Sequence, residues 1–376
     1  MASALTIAST SAPIRVAQAP QSDVPHNRCW LTARNVWVAA TILLTLGSLA
    51  GAVVFAPPAS APPDRGLVWV LFLGSSVHVA STGWFYTLPE VRSHARSHPV
   101  RYLYVPIALI AVAALVAASM PPSNFAWLLL PYFGWQLLHF QKQNLGMAAL
   151  GASSRRIAGL RPLERRALII AGLAGIPALV ARPSVLQLGV NPGLAWLRLA
   201  GLVLFIGAVA VGVIAIAARS RAERPAGFCI VYLTSLCFAL PVFVFHSPYA
   251  AVGGMTIAHG LQYLLLVGMV ANGVSGGRIR VFRLVAFCNV ALIGGIALNL
   301  ASHLHSGGTV ARSVFGAYLG VVMAHFVVDA GLWRLRDQFP RRFLSANVPY
   351  LVPARSTTSS VDDLSLTDIY SSDGQH

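Results

Sequence analysis

Apolar runs long enough to cross a bilayer recur along this chain, and nothing else in it limits the fold so strongly. A helix rises about 1.5 Å per residue, so about 20 apolar residues span the hydrocarbon core. About ten such runs can be marked: 36–57, 67–89, 102–120, 124–146, 167–181, 193–217, 227–246, 250–272, 284–302 and 313–333. The fifth is short and contains Pro177. Breakers separate the runs, among them Pro57-Pro58, Pro121-Pro122, Arg182-Pro183, Asn191-Pro192, Ser247-Pro248 and Ser306-Gly307-Gly308. Only 10% of residues are charged and 56% are hydrophobic, whereas a soluble domain carries about 25% charged residues. The expected fold is an all-α polytopic transmembrane helix bundle over residues 36–337. A flexible tail (1–35) precedes it and a disordered tail (345–376), rich in Ser, Thr and Asp, follows.

Basic residues set the expected orientation. Arginines precede the first run (Arg28, Arg34) and follow the second (Arg92, Arg96, Arg101), fourth (Arg155, Arg156, Arg161), sixth (Arg219, Arg221, Arg224), eighth (Arg278, Arg280, Arg283) and tenth (Arg334, Arg336). The opposite side holds only scattered cases such as Arg65, Arg182 and Arg312. By the positive-inside rule both termini are expected in the cytoplasm, with the chain a multi-pass protein of the plasma membrane. The formal charge of +16 then reflects topology and attraction to anionic head groups. No basic domain interleaved with aromatic residues points to nucleic acid. The first apolar run starts late and is too long for a cleaved signal peptide.

Several chemistries drop out. The four cysteines, Cys29, Cys229, Cys237 and Cys288, form no C-x-x-C and read as small apolar fillers. There is no phosphate-cradling loop, nucleophile elbow or H-E-x-x-H helix. "GVSGGR" (273–278) follows a helix end, so it reads as a turn.

What remains is polar residues inside the spans. Nearly all acids lie in tails and loops, and Asp329 alone sits well within a run. A carboxylate there costs about 2.5–3.5 kcal/mol on the insertion scale, so it faces the bundle interior and marks function. Four histidines are also inside: His78, His139, His259 and His325, one each on the second, fourth, eighth and tenth runs. In the expected topology all four helices run inward. His78, His259 and His325 fall about ten to thirteen residues into their spans, and His139 about a turn deeper. Imidazoles at matched depth on parallel helices can meet in a bundle core, as metal or haem ligands do.

Each histidine has polar company three or four residues away, on its own helix face. Gln143 and Trp135 flank His139, Gln262 and Tyr263 follow His259, Ser75 and Thr82 flank His78, and Asp329 follows His325. Asp329, Gln143, Gln262 and Tyr263 are the candidate catalytic set, placed to orient imidazoles or, for Asp329, to bind a metal directly. An imidazole and carboxylate set suits iron, zinc, copper or nickel. The alternative is that each histidine merely makes a helix–helix hydrogen bond, worth about 0.6 kcal/mol; that account has to be invoked four times at matched depth. His94 and His98, the one H-x-x-x-H pair, sit with Arg96 at the membrane edge and read as a solvated basic turn.

One histidine per helix, converging inside a polytopic bundle over residues 67–333, resembles the membrane non-haem-iron oxygenases, in particular the Brp/Blh carotenoid-cleaving dioxygenases. The resemblance implies one iron held by four histidines and a lipid-soluble polyene substrate. Three function classes follow from the residues. The first is a metal-dependent membrane oxidoreductase acting on a hydrophobic, isoprenoid-like substrate, with iron as its metal and a redox partner where electrons are needed. The second is a haem protein using pairs of these histidines as axial ligands. The third is a transporter relaying protons through Asp329 and the histidines.

Overall fold

The computed structural model describes residues 26–57, 61–273 and 277–353, and every element in them is a helix. Ten helical units follow in chain order. They are α1 (His26–Val54), α2 (Arg65–Thr87), α3 (Val100–Ser119), α4 (Phe125–Ser154) and α5 (Pro162–Leu173, continued by Gly175–Ala181). Then come α6 (Trp196–Ala217), α7 (Ala226–Leu236, continued by Leu240–Val244), α8 (Tyr249–Asn272), α9 (Gly277–Ser302) and α10 (Thr309–Leu332). A short helix, Pro89–Ser97, follows α2, and α11 (Gln338–Asn347) follows α10.

Seven of these helices, α1, α2, α3, α6, α8, α9 and α10, are long and apolar enough to cross a membrane. The other three units depart for local reasons. α4 has the length but carries Gln141, Lys142, Gln143 and Asn144 in its middle. α5 breaks where Pro177 would face the carbonyl of Leu173, and α7 breaks just before Pro241. Proline lacks the N–H and its ring clashes with the carbonyl four residues back.

Side-chain contacts bring alternate helix ends together at one end of the bundle. Arg34, early in α1, donates to the carbonyl of Ser154 at the end of α4 (3.0 Å). Arg219, just beyond α6, reaches Glu164 in the first turn of α5 (2.6 Å). Phe85, near the end of α2, meets Trp333, just past α10, and Phe343 of α11 at ring distances of 5.4 and 6.3 Å. α8 packs on α11 at the same end.

Two tail boundaries need correction. α1 begins at His26, inside the expected N-terminal tail of 1–35. Residues 345–353, expected as the start of the disordered tail, belong to the fold: Val348 and Leu351 are fully buried, beside Leu344 and Phe343. "FLSANVPYLV" (343–352) spaces enough apolar side chains to close that end over Phe85. The rest of both expected tails, 1–25 and 354–376, lies outside the described residues.

The buried apolar residues form two main clusters. One joins α4, α5, α6 and α7 around Leu168, Phe228 and Tyr232; the other joins α2, α8, α10 and α11 around Trp84, Phe85 and Val267. α2 and α8 cross in direct backbone contact at Gly74 and Gly260, where a methyl group on either would overlap the facing main chain. That contact sits one turn before His78 and one residue after His259, so it sets how closely the two imidazoles approach.

Candidate metal centre

His78, His139, His259 and His325 converge. All are buried, at 3, 7, 0 and 3% exposure. Their ring centroids form a closed quadrilateral with sides of 5.0 Å (His78–His259), 4.9 Å (His259–His139), 4.9 Å (His139–His325) and 5.1 Å (His325–His78). A point equidistant from four such centroids lies about 3.1–3.5 Å from each, and a metal with an imidazole bond of about 2.0–2.1 Å sits roughly 3.2 Å from its ligand's centroid. The donor atoms group as two overlapping sets, each within 4.8 Å: His78, His259 and His325, and His139, His325 and Asp329. His325 belongs to both.

Local structure aims these rings. A π-helical turn, Leu73–Val77, leads directly into His78, and a second, Tyr249–Gly253, opens α8. The wide π turn rotates later side chains relative to a regular helix, and such bulges recur at functional sites. Phe326 stacks on His139 and Phe140 lies against His259, both at 4.3 Å, so aromatic walls fix the rings from outside the quadrilateral.

Hydrogen bonding separates the two nitrogens of His325. Its Nδ1 lies 2.7 Å from the Thr82 hydroxyl, which lies 2.7 Å from the Tyr263 hydroxyl. Tyr263 donates to Asp329 Oδ1 at 2.8 Å, and Asp329 Oδ2 is 3.5 Å from His325 Nδ1. Counting protons gives the direction of the chain. Tyr263 has one, and it goes to the carboxylate, so Thr82 must donate to Tyr263 and can only accept from His325. His325 is thereby held with its proton on Nδ1 and its Nε2 lone pair free.

The free Nε2 is the common feature. All four Nε2 atoms, of His78, His139, His259 and His325, are buried with no hydrogen-bond partner. Leaving a buried polar atom unpaired costs about 1–3 kcal/mol. Four together amount to roughly 4–12 kcal/mol, comparable with the whole stability of a typical fold. One cation on the four lone pairs satisfies them all, and nitrogen donors alone suit a borderline transition metal.

Among the expected catalytic residues, Asp329 and Tyr263 join His325 through the chain above. Gln143 and Gln262 lie beside the site and brace it. Gln143 donates to the carbonyl of His259 (2.9 Å) and to Gln262 Oε1 (3.1 Å), and Gln262 donates to Thr45 of α1 (2.6 Å). Their amides therefore hold α1, α4 and α8 together around the site. Ser75 turns back to the carbonyl of Leu71, and Trp135 packs on Phe326. Thr82 belongs to His325, across the helix interface, rather than to His78 on its own helix. His94 and His98 stand apart, packed on each other (4.4 Å), with His94 stacked on Phe339.

A second buried polar cluster has no clear sequence signal. Glu164 and Arg219 form a bidentate pair, both bonds 2.6 Å, with both side chains fully buried. Glu164 stands beside a run of arginines and reads as a loop residue until its partner, 55 positions away, is known.

No known protein family, curated protein or solved structure matches this chain.

Proposed function

We propose that this is a multi-pass membrane metalloprotein in which His78, His139, His259 and His325 hold one transition metal, iron first, for oxidoreductase or oxygenase chemistry on a hydrophobic substrate. The observation that carries the reading is the set of four buried, unpartnered Nε2 atoms on rings whose centroids stand about 5 Å apart. The metal supplies the redox chemistry. The chain's own residues prepare it: Asp329, Tyr263 and Thr82 fix the His325 tautomer, and Gln143 and Gln262 hold the helix that carries His259. Second-neighbour hydrogen bonds of this kind raise ligand basicity and orient the ring. The surrounding helices exclude water, and a lipid-soluble substrate reaches such a site through the bilayer.

In the same reading the chain crosses the membrane ten times, with both termini on the cytoplasmic side. The seven apolar helices support a multi-pass bundle, and the alternate helix ends gathered at one end, with the arginines concentrated there, support the count and the orientation. The haem alternative has less support. Four imidazoles packed edge to face at about 5 Å leave no plane for a porphyrin between them. The transporter alternative rests on Asp329 and the histidines, and Asp329 is bonded to Tyr263 within the same cluster.

The test is purification in detergent followed by elemental analysis and an absorption spectrum. About one metal per chain without a Soret band is expected. A Soret band would move the reading to haem. Protein that neither carries a metal nor takes up added Fe(II) would end it.

A further inference from the structure

Between α6 and α7 the chain turns through a basic segment, "RSRAERP" (219–225). Two of its charges are accounted for. Arg219 turns inward onto Glu164. Glu223, the acid of this segment, pairs with Arg161 on the neighbouring loop at 2.7 Å. Arg221 and Arg224 then have no carboxylate partner among the described residues. A short 3-10 turn, Arg221–Glu223, holds them on one side, with the amide of Arg224 bonded to the carbonyl of Arg221.

These two arginines form the polar lip of an open groove of 380 Å³, a size typical of small-ligand sites. Its walls are apolar. Val213 and Leu233, from facing helices, are 45 and 37% exposed, and Ile216 forms a buried floor. Cys229 lies along the same wall. The groove therefore runs from two guanidinium groups with no carboxylate partner among the described residues into an apolar slot. Guanidinium groups match phosphate oxygens in shape and charge, and in the proposed topology the polar end falls at the cytoplasmic head-group level.

We propose that this groove binds an anionic phospholipid, with its phosphate diester at Arg221 and Arg224 and an acyl chain along Val213, Ile216 and Leu233. The inference is independent of the histidine site. Each arginine near an anionic surface contributes about a fivefold gain in affinity, so the two together account for roughly a 25-fold preference over a zwitterionic lipid.

Cys229 gives the readout. In the full chain with Cys29, Cys237 and Cys288 replaced by Ser, it is the remaining thiol, and its reaction with a maleimide can be followed in neutral detergent. Mixed micelles containing phosphatidylglycerol should slow labelling several-fold, while phosphatidylcholine at the same mole fraction should not. Arg221→Gln with Arg224→Gln should need about 25 times more phosphatidylglycerol for equal protection. Arg221→Lys with Arg224→Lys should keep most of it, which separates lost charge from a damaged fold. Equal protection by both lipids, or in the Gln variant at unchanged lipid, would overturn the proposal. So would protection by inorganic phosphate alone, or protection that rises with protein concentration and no lipid, since these indicate a free anion or a second copy of the chain.

Discussion

Two polar clusters are buried among the described residues, and they differ in what they leave open. At Glu164 and Arg219 every group is answered. Arg219 places Nε and one terminal nitrogen on the carboxylate and reaches the carbonyls of Ala158 (3.0 Å) and Gly159 (2.7 Å), while the amide of Arg161 adds a bond to Glu164 (2.8 Å). Phe228 lies under the guanidinium at 5.1 Å. The bonds to Glu164 hold Arg219 above its ordinary pKa. At the four histidines Nδ1 of His325 is answered by Thr82, while all four Nε2 atoms and the Nδ1 atoms of His78 and His259 are not. A closed cluster specifies a fold, here by tying the loop after α4 and the start of α5 to the end of α6. A cluster with so many buried nitrogens unanswered is what the proposed metal would satisfy.

That contrast predicts a crossover, which carries the largest effects. His78→Ala, His139→Ala, His259→Ala or His325→Ala should each abolish metal binding in purified protein, measured as metal per chain, while the bundle still folds. Glu164→Ala or Arg219→Ala should do the reverse. An uncompensated buried charge costs about 3–5 kcal/mol, so folded yield and thermal midpoint should fall while surviving protein keeps its metal. Replacing both partners with Met and Leu should restore most of the loss. If Arg219→Ala removed metal at full stability, the division into closed and open clusters would be wrong.

Chelation sharpens the same division. A ligand at 100 times its dissociation constant stabilises the native state by about 2.7 kcal/mol. Stripping the metal should therefore lower the midpoint of the parent and of Glu164→Ala alike, and leave the histidine variants unmoved. A parent whose midpoint ignores both chelator and added Fe(II) would show that the four lone pairs receive nothing.

Much of the open cluster is legible in the amino-acid sequence, and the limits have physical causes. Four single histidines at matched depth can be read because apolar run length sets depth through the helical rise. The same rise places Asp329 one turn after His325. Partnerships across helices cannot be read this way. Thr82 shares a helix face with His78 but bonds His325, 243 positions away. Gln143 and Gln262, each expected beside its own histidine, bond each other across 119 positions. Glu164 stays hidden because one carboxylate among many arginines resembles a solvated loop. Periodicity reports which face a residue occupies, and only packing decides what that face meets. The span count shows the same limit, since the units broken at Pro177 and Pro241 and the polar α4 fall short of a single apolar helix.

Within the open cluster the hydrogen-bond chain should matter less than the ligands. Thr82→Val, Tyr263→Phe and Asp329→Asn each interrupt the path that keeps the proton on His325 Nδ1. Each should weaken metal affinity about 10–100-fold without abolishing it, read by competition with a chelator of known affinity. Thr82→Ser keeps the hydroxyl and should recover most of the loss. Complete loss of metal in Asp329→Asn would instead make Asp329 a ligand, as its place beside His139 and His325 allows.

The smallest effect is expected where two histidines stand one helical turn apart in sequence. His94 and His98 have the i, i+4 spacing of a metal pair, yet His94 lies flat on Phe339 (4.0 Å, 5° between planes) and beside Tyr102 (5.3 Å). His98 turns its Nδ1 to the carbonyl of His94. His94→Ala and His98→Ala should therefore leave metal content unchanged and shift stability within about 0.5 kcal/mol, the ordinary range for surface positions. The expected pH dependence has a definite sign. Burial, then the neighbouring His98 and Arg101, hold His94 below the usual histidine pKa, while Asp337 opposes them. The unfolded chain then takes up the proton more readily than the folded one. The contribution of His94 is present above the unfolded value of about 6.5 and is lost as pH falls from there through the lower folded-state value. Thermal midpoints of the parent and of His94→Gln between pH 8 and pH 5 should converge on the acid side. A difference that grew toward acid pH, or metal lost from either variant, would show that this pair belongs to the open cluster after all.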